Sequence, residues 1–282
     1  MRTIVFGCKG QLGRNLMGVF GAEGAAIGLD LPELDIANRY AVLSAIRQGA
    51  PDLVINAAAY TDVEAAESHP EAAFRANDTG ARIVAEAAAM QGVPVVYIST
   101  DYVFDGKKKT PYVPGDSPRP LNVYGKSKEA GERATREATS RHFIVRTAWM
   151  YGPGGNHFVE KIRRAAAAKS QLRVVGDEIG SPTSTHDLAL ALLALCRTHA
   201  YGIYHAANAG ACSRCEMARE IVRLAKLKTK IIPCSSSEYP TVAQRPRYSV
   251  LDSSALERHI GRKMRPWQAA LKDYLAKEGQ RG

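Results

Sequence analysis

Along the first half of the chain, short unbroken apolar runs alternate with longer stretches in which apolar residues recur every three or four positions. The runs at 3–6, 25–29, 53–55, 93–98 and 143–145 lack polar alternation, so they read as strands covered on both faces. The stretches at 11–20, 40–48, 71–91 and 127–138 have helical spacing. Regular alternation of the two predicts an α/β fold, a Rossmann-type doubly wound parallel sheet. Ser68 and Glu71 have the spacing of a capping box for the third helix, and Gly92 with Pro94 marks its end.

After Trp149 the pattern changes to GPGGN, a basic helix near 158–169, a short strand at 172–175 and the loop DEIGSPT. A helix at 187–196 and a strand at 203–205 are expected to return to the sheet, and a Ser-, Pro- and Arg-rich tail, 233–261, leads to a last helix at 267–278. The expected organisation is a dinucleotide-binding domain, 1–148 with return segments near 185–207, and a smaller α/β substrate-binding lobe assembled from 149–184 and 208–282.

A length of 282 residues suffices for one sizeable core with a lobe attached. Lysine and arginine number 38 against 28 acids, a formal charge of +10 that suits an anionic ligand. The basic residues are scattered and not interleaved with aromatics, which argues against nucleic acid as a partner. Five dispersed cysteines imply no disulfide framework, and the lone Cys212/Cys215 pair lacks the further ligands a zinc site needs. Ser213 and Glu216 there read as a capping box that opens a helix over 216–225. No signal-like block or membrane-length apolar run is present, so a cytoplasmic protein with no membrane partner is expected.

Gly7, Gly10 and Gly13 in GCKGQLG follow the first strand and open the first helix, where glycines let the backbone approach a pyrophosphate on the helix N-terminus. Asp30, ending the second strand, is placed to accept from an adenosine ribose and favours NAD, whereas Lys9 and Arg14 would suit the 2′-phosphate of NADP. The small residues Ala57 to Ala59 stand at the carboxyl end of the third strand, and Thr100 at that of the fourth. Tyr124 and Lys128 are four apart, hence on one helix face, and a cation beside a phenol lowers its pKa toward the working range. In that reading Tyr124 protonates a carbonyl oxygen while hydride arrives from a nicotinamide, Lys128 tunes the phenol and holds the ribose, and Thr100 bonds the substrate oxygen. The histidines His157, His186 and His205 have no ligand spacing and no motif that places them at this crevice.

GxxGxxG, the Thr of STD and YxxxK, in that order, resemble the extended short-chain dehydrogenases/reductases. Within that family the chain is similar to reductases of 4-keto nucleotide sugars, through NAAAYTDVEAAE, STDYVFDG, PLNVYGKSKEAGE, RTAWMYG, NHF, GSPT and RPRYSVLD. The resemblance implies a catalytic Thr100, Tyr124 and Lys128, with Gly7, Gly10, Gln11, Leu12, Asp30, Ala57, Ala58 and Tyr60 around NADPH or NADH. It also implies Thr61, Val63, Asp101, Val103, Phe104 and Trp149 near the sugar, and Asn156 and Arg245 nearer the nucleotide. The implied reaction is reduction of the C4 carbonyl of dTDP-4-dehydro-L-rhamnose. Related 4,6-dehydratases carry Asp-Glu after the Thr; here Tyr102 follows Asp101, which leaves simple carbonyl reduction.

Two departures stand out. Glu178 replaces the Gln of the usual DQxGxPT, so that loop is expected to face away from a diphosphate. Asn15 stands where some members have a magnesium-binding glutamate at a dimer contact, so no metal is expected. The family suggests a possible homodimer. The alternatives are a reductase of another 4-keto-6-deoxy nucleotide sugar, or a non-catalytic NADP-binding subunit resembling the regulatory subunit of methionine adenosyltransferase. The intact Thr100, Tyr124 and Lys128 set argues against the latter.

Overall fold

The structure, a computed structural model, describes residues 1–279. Its first half runs β1 (Thr3–Phe6), α1 (Gln11–Ala22), β2 (Ala26–Leu29), α2 (Arg39–Gly49), β3 (Leu53–Asn56), α3 (Val63–Ser68), α4 (Pro70–Phe74), α5 (Ala81–Met90), β4 (Val95–Thr100), α6 (Val123–Ala138) and β5 (His142–Thr147). The second half runs β6 (Met150–Tyr151), α7 (Phe158–Ala168), β7 (Gln171–Val175), β8 (Ile179–Gly180), β9 (Thr183–Ser184), α8 (Thr185–Cys196), β10 (Gly202–His205), β11 (Cys212–Ser213), α9 (Arg214–Leu224), β12 (Lys230–Cys234), α10 (Ser254–Ile260) and α11 (Trp267–Gly279).

Six strands pair in parallel in the order β10-β5-β4-β3-β1-β2. Their unbroken apolar character follows from being covered twice. Leu12, Leu16 and Phe20 of α1 pack with Leu188 and Leu192 of α8 over one face, and Val42 and Ile46 of α2 with Val84 and Ala88 of α5 over the other. Helix α8 packs on this sheet, and β10 pairs with β5 at its edge. From β1 the chain builds outward to β2, then crosses back to β3 on the other side. The order therefore reverses between β1 and β3, where an open α/β sheet leaves a crevice at the strands' carboxyl ends.

A separate apolar cluster joins Val159 and Ile162 of α7, Ile221 of α9, and Trp267 and Leu271 of α11 with Val174 and Ile231 of the parallel pair β7 and β12. The strand β12 was not expected, because Lys230 and Pro233 interrupt its apolar run. The Ser213 and Glu216 capping box does form, with Ser213 Oγ accepting from Glu216 N at 3.1 Å.

The third helix differs from expectation. The stretch read as one helix over 71–91 is α4, a π-turn at Arg75–Gly80, and α5. The Ser68/Glu71 capping box does not form: Ser68 is the last residue of α3, and Pro70 opens α4 behind His69, which makes no side-chain cap. Proline suits a first helical position because its missing N–H would have no partner there. Among the described residues, no helix is long and apolar enough to cross a membrane.

Candidate active site

A crevice of about 690 Å³ opens over the carboxyl ends of β1, β3 and β4. Its floor is the glycine loop. Gly7 sits at φ +80°, and a Cβ there would stand 2.5 Å from Ala58 N, so this turn and the Ala57–Ala58 segment meet only because Gly7 has no side chain. Gly10 is the N-cap of α1 and supplies no side-chain acceptor, which leaves the first-turn N–H groups at Gln11, Leu12 and Gly13 uncapped toward the crevice. The buried Gln11 Nε2 has no partner among the described residues. Such a cradle fits an anionic dinucleotide.

Asp30 fastens the end of β2 to this loop, its carboxylate accepting from Lys9 N and from Leu31 N, each at 2.8 Å. Lys9 Nζ pairs with Glu33 at 2.5 Å, and Arg14 Nε donates to Lys9 O at 2.9 Å. Asp30 thus holds the backbone of Lys9, and Arg14 is tied in turn to Lys9. On the β3 side, Asn77 reaches in from the π-turn, fully buried. Its Oδ1 accepts from Tyr60 N at 2.9 Å, and its Nδ2 donates to Tyr60 O at 3.0 Å and to Ser127 Oγ at 2.9 Å. One amide therefore ties the segment after β3 to α6.

Thr100 ends β4, donates to Asp101 Oδ1 at 3.1 Å and accepts from Tyr102 N at 3.2 Å. The Tyr102 ring meets Tyr124 edge-on with centroids 5.7 Å apart. Asn122 caps α6, accepting from Gly125 N at 2.7 Å and donating to Gln244 O at 2.8 Å, which fixes where Tyr124 and Lys128 emerge. The buried face of α6 is polar, with Ser127, Lys128, Glu132 and Thr135: Lys128 lines the crevice beside Tyr124, while Ser127 accepts from Asn77 and Glu132 pairs with Arg146 behind it.

Burial raises the Tyr124 phenol above its ordinary value; the hydrogen bond with Thr100 opposes this, and the Asp101 carboxylate adds to the rise. Lys128 is pushed down to about 7 by its own burial, with Glu132 pulling the other way. Its Nζ lies 4.0 Å from the centre of the Tyr97 ring. The net effect at Tyr124 is a rise, so burial outweighs any lowering of the phenol by the expected Lys128 partner. Glu132 is already committed, since Arg146 donates to it at 2.8 and 2.7 Å and Ser99 at 2.5 Å. Burial lifts Asp101 to about 6.

Thr61, Val63, Asp101, Trp149 and Asn156 line the crevice together with Thr100, Tyr124, Lys128 and the glycine-loop residues. Val103 and Phe104 do not. Both are fully buried, and Phe104 stacks on Tyr112 at 4.1 Å, so their side chains pack in the core beneath the crevice-lining Asp101. Nor does Arg245 reach the crevice wall, being paired with Glu64 at 2.6 Å. Among the lining residues not expected from the sequence are Tyr102, Arg75 and Arg214: Arg75 belongs to no motif, and Arg214 lies inside CSRCE, where the cysteines and the capping box are the stronger signals.

The model of the RmlD substrate binding domain matches residues 1–279. The spore coat polysaccharide biosynthesis protein SpsK of Bacillus subtilis is 41% identical over 275 residues, covering 97% of this chain and 96% of that one. A dTDP-4-dehydrorhamnose reductase of Sinorhizobium fredii is 39% identical over 279 residues, covering 95% and 94%. Among solved structures, dTDP-4-dehydrorhamnose reductase of Bacillus anthracis in complex with NADP superposes with a TM-score of 0.94 at 38% identity, covering 98% of this chain and 99% of that one.

Proposed function

The chain belongs to the family of the RmlD substrate binding domain, and from that premise we propose that it is a dTDP-4-dehydrorhamnose reductase, reducing the C4 carbonyl of dTDP-4-dehydro-L-rhamnose with NADPH or NADH. The observation that carries the reading is the convergence of Thr100, Tyr124 and Lys128 on one crevice whose floor is a glycine cradle for a dinucleotide.

Gly7, Gly10 and the uncapped amides of α1 would hold the pyrophosphate and Asp30 the adenosine ribose, with Ala57, Ala58 and Tyr60 lining the same cradle. A reduced nicotinamide supplies the hydride. Tyr124 donates the proton to the developing C4 alkoxide, and its raised pKa keeps that proton in place until the oxygen becomes the stronger base. Thr100 hydrogen-bonds the same oxygen. Lys128 would donate to the nicotinamide ribose, an acceptor that would restore a polar partner to the buried amine and draw its pKa upward. Thr61, Val63, Asp101 and Trp149 bound the sugar, and Asn156 lies toward the nucleotide.

Tyr124→Phe tests this reading. Loss of the proton donor predicts a fall in kcat of ~10²- to 10⁴-fold. The Kd for NADPH should stay within about 2-fold, since no proton moves on binding. Wild-type turnover in this variant sinks the assignment. Turnover of another 4-keto-6-deoxy nucleotide sugar in preference to the rhamnose precursor would retain the chemistry and change the substrate.

A further inference from the structure

Arg214 is the first residue of α9, and its guanidinium projects into the crevice. It lies 3.5 Å from the centre of the Trp149 ring system and 5.1 Å from that of Phe158, two aromatic contacts that fix it in place. Trp149 itself holds a positive φ of 45°, and a Cβ on Gly180 would stand 2.5 Å from its indole, so the backbone is arranged to let this ring take its position. The side chain of Arg214 is only 18% exposed, yet its guanidinium makes no hydrogen bond to a described residue. The carboxylate nearest in charge, Glu178 Oε2, stands 3.9 Å away, beyond hydrogen-bond length.

A guanidinium short of water and short of acceptors is costly unless something else completes it. The neighbouring arginine is different: Arg245 is already neutralised by Glu64 at 2.6 Å. Glu178 occupies the place where the sequence resemblance would put a Gln, and its carboxylate lies beside Arg214. Its charge partly balances Arg214 without occupying its donors.

We infer that Arg214 is a specificity-determining residue that binds the diphosphate of the nucleotide-sugar substrate, with Trp149 as its platform and Glu178 as a weak competing carboxylate. The inference rests on the nucleotide-sugar reading of the site. A guanidinium offers two parallel donors to a phosphate and suits a dianionic diphosphate better than a neutral sugar.

The test is calorimetric titration of the NADP⁺-saturated protein with dTDP, for the wild type, Arg214→Gln, Arg214→Lys and Glu178→Gln. Losing a charge-assisted contact predicts a dTDP affinity at least ~10-fold weaker in Arg214→Gln, with NADP⁺ affinity within about 2-fold of wild type. Arg214→Lys, which keeps the charge and loses the fork, should fall between. Glu178→Gln should bind dTDP as well as or better than wild type, because the competing carboxylate is gone. If Arg214→Gln fails to bind NADP⁺ and is therefore misfolded, the Lys and Glu178 variants decide. Unaltered dTDP affinity in Arg214→Lys together with weaker binding in Glu178→Gln overturns the inference, as does wild-type dTDP affinity in a folded Arg214→Gln. UDP and GDP are titrated in parallel. A wild type that prefers one of them defeats the dTDP assignment while Arg214→Gln must still weaken that ligand; a wild type that binds no nucleoside diphosphate overturns the inference itself.

Discussion

Lys128 is the residue whose environment departs most from what its sequence position suggests. It was legible as the partner of Tyr124 from the four-residue spacing alone, but spacing says nothing of solvent, and in the fold it is buried against Tyr97 with a pKa near 7. The unfolded lysine holds its proton up to its ordinary value of 10.5. Between about 7 and 10.5 the unfolded chain therefore binds more protons than the folded one, and stability rises with pH across that window. Below about 7 the cost of charging the buried amine is fully present. Lys128→Met should then be more stable than wild type at pH 6 by about 1–3 kcal/mol, with the gain shrinking toward pH 10, while turnover and NADPH affinity both fall. Denaturant melts at several pH values read this directly; a stability difference that is the same at every pH contradicts the burial argument. The same limit explains Arg214 and Phe104. Whether an arginine faces a crevice or a phenylalanine faces core is set by how α9 and the turn after β4 pack, which no local pattern records.

At the scale of elements, the strands, α1 and α6 were readable because two-sided burial and helical spacing leave a direct trace in the apolar pattern. The π-turn at Arg75–Gly80 was not, since one inserted residue leaves the composition of a helix untouched while rotating its downstream face. That turn delivers Asn77, whose amide joins the segment at Tyr60 to Ser127 of α6. Asn77→Ala removes three hydrogen bonds at a buried junction and should cost about 2–4 kcal/mol in stability. It should also weaken NADPH binding several-fold, because Tyr60, which lines the crevice, loses its anchor. Urea unfolding together with a cofactor titration checks both; unchanged NADPH affinity in a destabilised variant would make Asn77 structural only. The missed β12 had a different cause: a lysine and a proline masked a strand that pairs with β7 in a two-stranded sheet.

For the whole molecule, the crevice is walled by the sheet on one side and by residues such as Trp149 and Arg214 on the other, the latter packed beside the second apolar cluster. A ligand that touches both sides binds the folded state alone. NADPH at about 100 times its Kd should therefore add ~2.7 kcal/mol, seen as a rise of several degrees in Tm, and its removal should reverse the gain. The +10 formal charge makes a second demand on an anionic substrate: its KM should rise with ionic strength while kcat changes little. A KM indifferent to salt would leave the charge to solubility alone.

The central claim is hydride delivery to C4 with Tyr124 as proton donor. The most direct test is turnover of dTDP-4-dehydro-L-rhamnose with NADPH deuterated at the transferable position, followed by NMR of the sugar product. Deuterium at C4 of the rhamnose, formed by wild type and lost with Tyr124→Phe, is the result predicted here. Deuterium at another carbon, or product formed without any, would contradict the account.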